Sequence, residues 1–228
     1  MPSEKKPKLR VIISAYVVDK NDISEPQQAY EWISRLAKYA QLWVVTRGSR
    51  LNVDCGLEEH ENISLIKLEP KIKFPKNSTF DKVVQPGYLE FFIAARKEIR
   101  HIIKDNNIDI GHHLTPYSIR YPSPFIGQNL KFIIGPVFGG MDQPRVMKEL
   151  HGREEKLYLL RNLDRLRETV DIFLRKTYKN SSRVLISAPY MKPIVRLADN
   201  NKLQVIPGAA VDLSNYKVHN VMTILTTK

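Results

Sequence analysis

The chain has 228 residues, enough for one large domain or two small ones, and its 43% hydrophobic and 26% charged residues exclude wholesale disorder. A single cysteine, Cys55, excludes a disulfide framework and a cysteine-rich zinc site and points to a reducing, cytoplasmic compartment, while no apolar run approaches the roughly 20 residues of a membrane span. The 36 Lys and Arg against 24 Asp and Glu, a formal net charge of +12, predict attraction to phosphates carried by nucleic acid, anionic lipid or a nucleotide.

Leu9–Tyr16 is β-branched and apolar on both faces, the pattern of a strand buried in a parallel sheet. The polar stretch Asp19–Ser24 then leads into a helix, with Ser24 as N-cap, Pro26 in the first turn and Ala29, Trp32, Ile33, Leu36 and Ala37 along one side. Gln41–Arg47 reads as the second strand, which completes a right-handed βαβ unit, and Ile63–Leu68 as the third. Lys71–Gln85 has no periodicity and reads as a loop. A helix follows over Gly87–Asp105, with Leu89, Phe92, Ile93, Ile99, Ile102 and Ile103 facing inward. Ile108–Leu114 and Lys131–Gly135 continue the sheet. Met147–Lys179 reads as helical, with Leu157, Leu160, Leu163, Leu166, Val170, Phe173 and Leu174 recurring every three or four residues. Arg183–Ala188 and Leu203–Gly208 supply two last strands.

This alternation predicts one three-layer α/β domain, Rossmann-like, with a mainly parallel sheet. It spans residues 1–212; residues 213–228 read as a linker and, in Val221–Leu225, the first strand of a further domain.

Ligands of an open parallel sheet bind beyond the carboxyl ends of its strands, which directs attention to three loops. The first, Tyr16–Ser24, contains no glycine, so a dinucleotide fingerprint is absent there. The second follows Asp109–Thr115 and holds His112, His113, Thr115 and, shortly after, Arg120. Adjacent histidines on a strand point to opposite faces and cannot chelate one metal together, so no metal site is expected. A histidine at this edge serves either as a hydrogen-bonded structural residue or as a partner for sugar hydroxyls and phosphates. The third loop, with Gly135, Pro136, Gly139 and Gly140, permits positive φ and close backbone approach to a ligand, or simply a turn. No nucleophile elbow, zinc-protease helix or phosphate-binding Gly-Lys-Ser/Thr loop occurs.

In order along the chain, Asp109–Thr115, Ile119–Ser123, Phe132–Gly140, the helix with Leu160–Asn162 and Val205–Gly208 resemble the N-terminal domain of a family 4 glycosyltransferase of the two-Rossmann-domain, GT-B type. The resemblance covers about residues 8–216. It implies an acceptor-side domain that acts with a separate donor-binding domain in a retaining, metal-free transfer of a hexose from a nucleoside-diphosphate sugar to a hydroxyl. Carried over by position, His112 falls on the family's histidine near the transferred sugar, the catalytic candidate. Ser24, Glu25, His113, Thr115, Arg120, Gly135, Gly139 and Gly140 become substrate-binding candidates. Phe138 stands where the family's signature has a glycine, and the glycine-free first loop departs from relatives whose glycines approach the donor phosphates.

No counterpart of the donor domain follows residue 212, so this chain is expected to be inactive alone and to need that domain in trans or in a longer chain. No resident cofactor is expected; the nucleoside-diphosphate sugar is a substrate. Lys71, Lys73, Phe74 and Lys76, with Phe80 and Lys82 nearby, pair basic and apolar side chains either as an ordinary exposed basic loop or as a membrane-surface contact; relatives in the resembled family that glycosylate lipid-linked acceptors use the N-terminal domain in the second way, so the resemblance implies a peripheral position and a sugar or lipid-linked acceptor. The alternative is a non-catalytic Rossmann-like binding module or remnant without transferase activity. Nucleic acid is not an expected partner, since no recognition motif accompanies the charge.

Overall fold

The computed structural model describes residues 8–48, 54–69, 86–139 and 168–207. Among these residues seven strands, β1 (Leu9–Ala15), β2 (Ala40–Thr46), β3 (Ile63–Lys67), β4 (Ile110–Thr115), β5 (Phe132–Val137), β6 (Arg183–Ile186) and β7 (Leu203–Val205), form one sheet in the order β3-β2-β1-β4-β5-β6-β7. Every pairing is parallel, so the sheet is wholly rather than mainly parallel. This is the doubly wound, Rossmann-like order: the chain winds outward from β1 to one edge, returns, and winds from β4 to the other. A near-continuous apolar run makes such strands possible, because β1 is covered on both faces and Ile12, Ile13 and Ala15 are fully buried.

Helix α1 (Glu25–Leu36) covers one face. Its Ala29 and Ile33 pack with Val11, Ile13, Leu42, Val44 and Leu114. Helices α2 (Pro86–Asp105) and α3 (Ile172–Asn180) cover the other, where Phe91, Phe92, Ala95 and Ile99 meet Ile12, Val45, Phe132, Ile134, Leu174 and Tyr178. Each large side chain so buried contributes about 1.5–3 kcal/mol of transfer free energy.

Two expectations are corrected, and a third, Ser24 as N-cap, holds in position. Leu89 and Ile93 do not face inward; they are 52% and 62% exposed, and Tyr88, Phe91 and Ala95 take the inner side of α2. The helix carries two overlapping apolar stripes, and the aromatic one buries more area while the Tyr88 hydroxyl donates to the Pro122 carbonyl at 2.6 Å. The helix read through to Lys179 is interrupted at Asp171, whose extended backbone and side chain, accepting from the Leu174 N–H at 2.9 Å, start α3 as a separate element. Ser24 occupies the N-cap position of α1, but its hydroxyl makes no capping bond and its φ is +63°. The loop at 71–85, the helix at 147–167, the strand at 221–225 and the domain boundary at 212 lie outside the described residues.

Candidate ligand crevice at the carboxyl edge of the sheet

The order of strands reverses between β1 and β4, so their following loops part and leave a crevice at the carboxyl edge. The register shifts at this edge: Ser14 pairs with His113 but Ala15 with Thr115, which leaves Leu114 as an extra residue of β4. The Thr115 hydroxyl, fully buried, accepts a hydrogen bond from the Tyr16 N–H at 2.9 Å and ties the two strand ends together.

The loop leaving β1 is shaped by Asp19. Its fully buried carboxylate accepts from the Asn21 N–H at 2.8 Å, and its own N–H donates to the Pro26 carbonyl at 3.2 Å, which folds the loop back onto α1. The first helical residue is Glu25. Its carboxylate reaches across the crevice and accepts from the Tyr117 N–H, 3.0 Å away, in the loop after β4. Tyr117 in turn packs its ring 4.8 Å from that of Phe138 and accepts the Phe138 N–H on its carbonyl at 2.9 Å. Its hydroxyl is buried with no hydrogen-bond partner. Burial, and next the negative charge of Glu25, push the pKa of that hydroxyl up.

The two histidines sit below this rim on opposite faces of β4, as their adjacency requires. His112 shares the α1 face with Leu114, stands edge-on to Trp32 at 6.3 Å between ring centroids, and bonds through Nε2 to the Gly135 carbonyl at 2.6 Å. Since a carbonyl only accepts, Nε2 carries the proton. Burial lowers the His112 pKa to about 4, against a smaller upward pull from the Gly135 bond. His113 lies on the α2 face beside its pairing partner Ser14, and neither ring nitrogen nor the Ser14 hydroxyl has a hydrogen-bond partner. Burial, and then the neighbouring His112, lower its pKa to about 3. Both rings are neutral near pH 7, and at 3% and 1% exposed neither reaches solvent.

Gly135 is required where it stands: its φ is +103°, and a Cβ there would collide with the Leu185 carbonyl oxygen. Gly139, exposed at φ +99°, has nothing within 4 Å of the place a Cβ would take, so its left-handed backbone rather than any crowding favours glycine there. Of the residues singled out from the sequence, Glu25, Thr115 and the segment leading to Gly139 come together at the crevice, and His112 joins Gly135 beneath it. Ser24 faces solvent, His113 is sealed under the α2 face, and Arg120 is half-buried farther along the loop after β4. Gly140, Lys71, Lys73, Phe74 and Lys76 lie outside the described residues. Among the described residues no group of three His, Cys, Asp or Glu side chains is placed to hold a metal.

Sequence reading missed Asp19, Tyr117 and the pair formed by Tyr16 and Arg47. The Asp-x-Asn spacing of Asp19 and Asn21 is an Asx-turn signal that would have located the first; nothing local marks Tyr117. Arg47, at the end of β2, donates to the Tyr16 hydroxyl at 2.9 Å and holds its guanidinium 5.6 Å from that ring's centroid. Tyr16 also meets Tyr88 and Phe91 edge-on, at 5.5 and 5.2 Å, and this joins the rim to the first turns of α2.

No protein-family model matches the chain, and no curated protein matches its sequence. Solved structures with a similar course of chain include a glycosyltransferase from Rickettsia africae ESF-5, 16% identical with a TM-score of 0.42 over 87% of this chain and 42% of that one. The glycotransferase of kitacinnamycin is 12% identical, with a TM-score of 0.43 over 86% of this chain and 51% of that one. Sucrose-phosphate synthase from Thermosynechococcus elongatus is 13% identical, with a TM-score of 0.40 over 88% of each chain. The chain thus spans about half or less of the first two. The Rossmann-like assignment stands on the strand order itself.

Proposed function

We propose that this chain is the acceptor-side half of a GT-B glycosyltransferase, and that it presents its carboxyl edge to a donor-binding domain supplied in a longer chain or by another polypeptide. The observation that carries the reading is a convergence. Glu25, Thr115 and the glycine loop after β5, far apart in sequence and the last two part of the ordered motifs, are linked through Tyr16 and Tyr117 where the sheet reverses its order. The glycine-free loop after β1 suits an acceptor wall better than a nucleotide cradle.

In the complete enzyme the reaction would be a retaining hexosyl transfer from a nucleoside-diphosphate sugar to a hydroxyl, with the leaving diphosphate stabilised by positive groups and backbone N–H donors. This chain's share is positioning. Thr115 holds the strand ends that frame the crevice. His112 acts through the Gly135 carbonyl that it holds, and so sets the course of the glycine loop rather than exchanging protons.

Titration calorimetry of the full chain with nucleoside diphosphates and their sugars, alone and with a co-expressed donor domain, tests this. Donor binding and hexosyl transfer only when both parts are present is the expected result. Tight nucleotide binding by the chain alone sinks it.

One observation favours a second reading. Both histidines are out of reach of solvent, which suits a non-catalytic binding module as well as an enzyme half. Retained saccharide binding with no transfer in the reconstituted pair would select it.

A lipid-linked acceptor is supported by exposed Leu89, Ile93, Ile172 and Phe173, which lie on the same side of the sheet as exposed Lys97, Arg100, Arg175 and Lys176. Binding to anionic vesicles should fall in a variant combining Lys71→Glu, Lys73→Glu and Lys76→Glu; unchanged co-sedimentation rejects those lysines as the contact.

A further inference from the structure

The outer face of α2 carries a pair of cations that the fold leaves without an opposite charge. Arg96 and Arg100 stand one turn apart, a spacing that makes side chains neighbours with Cβ atoms about 5–6 Å apart, and Lys104 extends the ridge by another turn. Among the described residues neither arginine forms an ion pair. Glu98, the acidic residue closest to both along the helix, is two positions from each, and residues so spaced do not face each other.

Arg96 is built into the molecule rather than left to sway in solvent. Its Nη1 donates to the Ile126 carbonyl, and its own carbonyl accepts from Gln128 Nε2 at 2.8 Å, so the turn at 125–128 is laced to the helix. Gly127, at φ +67°, makes this approach possible, since a Cβ there would stand 3.2 Å from Arg96 Nη2. The guanidinium thus lies along the backbone of the turn, half-buried, and reaches the surface where Gly127 and Arg100 are exposed. Burial, and next the charge of Arg100, pull the Arg96 pKa down, yet a guanidinium does not give up its proton. A fixed, partly desolvated cation and a like charge one turn away destabilise each other, and an anion between them would remove that cost. Two guanidinium forks match the oxygens of a phosphate, whose charge of about −1.5 to −2 near pH 7 balances the pair better than the single charge of a carboxylate does.

We propose that Arg96 and Arg100, beside the turn at Gly127, form a binding site for a phosphate group, carried either by a soluble phosphate compound or by a lipid headgroup. Arg96 supplies the fixed fork, held in place by the Ile126 carbonyl, and Arg100 swings in from solvent to close on the same anion. About 15 Å of helix separates Arg96 from Pro86, at the end of α2 that borders the crevice rim. The site is therefore apart from the crevice, and it stands or falls independently of the glycosyltransferase reading.

The test is a residue-resolved NMR titration of the isotope-labelled full chain, because a basic protein will attract phosphate elsewhere on its surface. Inorganic phosphate should shift the Arg96 Nε–H and the amides of Gly127 and Gln128, and sodium chloride at equal ionic strength should leave them in place. In Arg100→Gln, a change at an exposed position, the phosphate response should weaken at least fivefold. Urea midpoints read the same coupling: phosphate should raise the midpoint of the parent chain more than that of Arg100→Gln. A second arm offers the phosphate only on a membrane, as vesicles of phosphatidic acid in phosphatidylcholine, read by co-sedimentation. Local shifts with inorganic phosphate assign the site to soluble phosphate compounds. Vesicle binding that falls at least fivefold in Arg100→Gln, with no shift by inorganic phosphate, assigns it to a headgroup. An equal response to chloride, an equal response in Arg100→Gln, or no response to either form of phosphate would overturn the site, and the first and last of these come from the parent chain alone.

Discussion

His112 and His113 are neighbours on one strand, equally buried, yet the two faces of the sheet treat them differently. On the α1 side, His112 is gripped by Trp32 and by the Gly135 carbonyl. On the α2 side, His113 and its pairing partner Ser14 hold three polar atoms with no hydrogen-bond partner inside an otherwise apolar, aromatic layer. Burial alone does not say whether a polar group holds a fold together; the partner does. A satisfied histidine stabilises a turn that the fold needs, and an unsatisfied one is a standing cost.

The widest break of the comparison comes from acid, which charges both rings. Each folded-state pKa, about 4 and about 3, lies below the ordinary value near 6.5. The stability gained from keeping the rings neutral is therefore complete above about pH 6.5 and is lost as pH falls toward the folded values, because the unfolded chain binds the protons first. Urea midpoints should be flat from neutral pH down to about 6.5 and then fall steeply. A midpoint unchanged down to pH 4 would show that the rings are not sealed.

Next in size is Gly135→Ala, which combines a left-handed backbone with a collision against Leu185 and should cost about 3 kcal/mol or more in denaturant unfolding. His112→Leu removes the partner of the buried Gly135 carbonyl and should cost about 1–3 kcal/mol. The smallest effect has the opposite sign. His113→Leu, which removes two unpaired nitrogens from the α2 layer, should be neutral or stabilise by about 1 kcal/mol, and should also reduce the acid sensitivity. Equal losses in the two leucine variants would remove the distinction between the faces.

Much of this was readable before the structure. The inner strands β1, β2, β4, β5 and β6 are where largely buried, apolar runs fall, because a strand covered on both faces leaves a near-continuous apolar signature. That His112 and His113 part to opposite faces follows from strand geometry alone. The side of α2 that turns inward did not follow, because Tyr88 and Phe91 compete with Leu89 and Ile93 one residue away, and the contest is decided by partners such as the Pro122 carbonyl. Nor did the break at Asp171, where a side chain able to cap a new helix interrupts an apolar repeat that runs on past it. The crevice was legible as a place and not as a set of contacts. The bond from Tyr117 to Glu25 joins residues 92 apart in sequence, and no local pattern announces it.

The pairing of β1 with β4 bears on how the chain is made. Val11 lies beside Ile110, and the Arg10 N–H donates to the Asp109 carboxylate, a separation of 99 residues. As the polypeptide leaves the ribosome, β1, β2 and β3 can already assemble, but the inner edge of β1 stays bare until β4 has emerged. Synthesis at about 5–20 residues per second makes that a wait of several seconds. During that interval a strand destined for burial on both faces presents an open edge, so a nascent chain stalled between β3 and β4 is the form of this protein that most needs a chaperone.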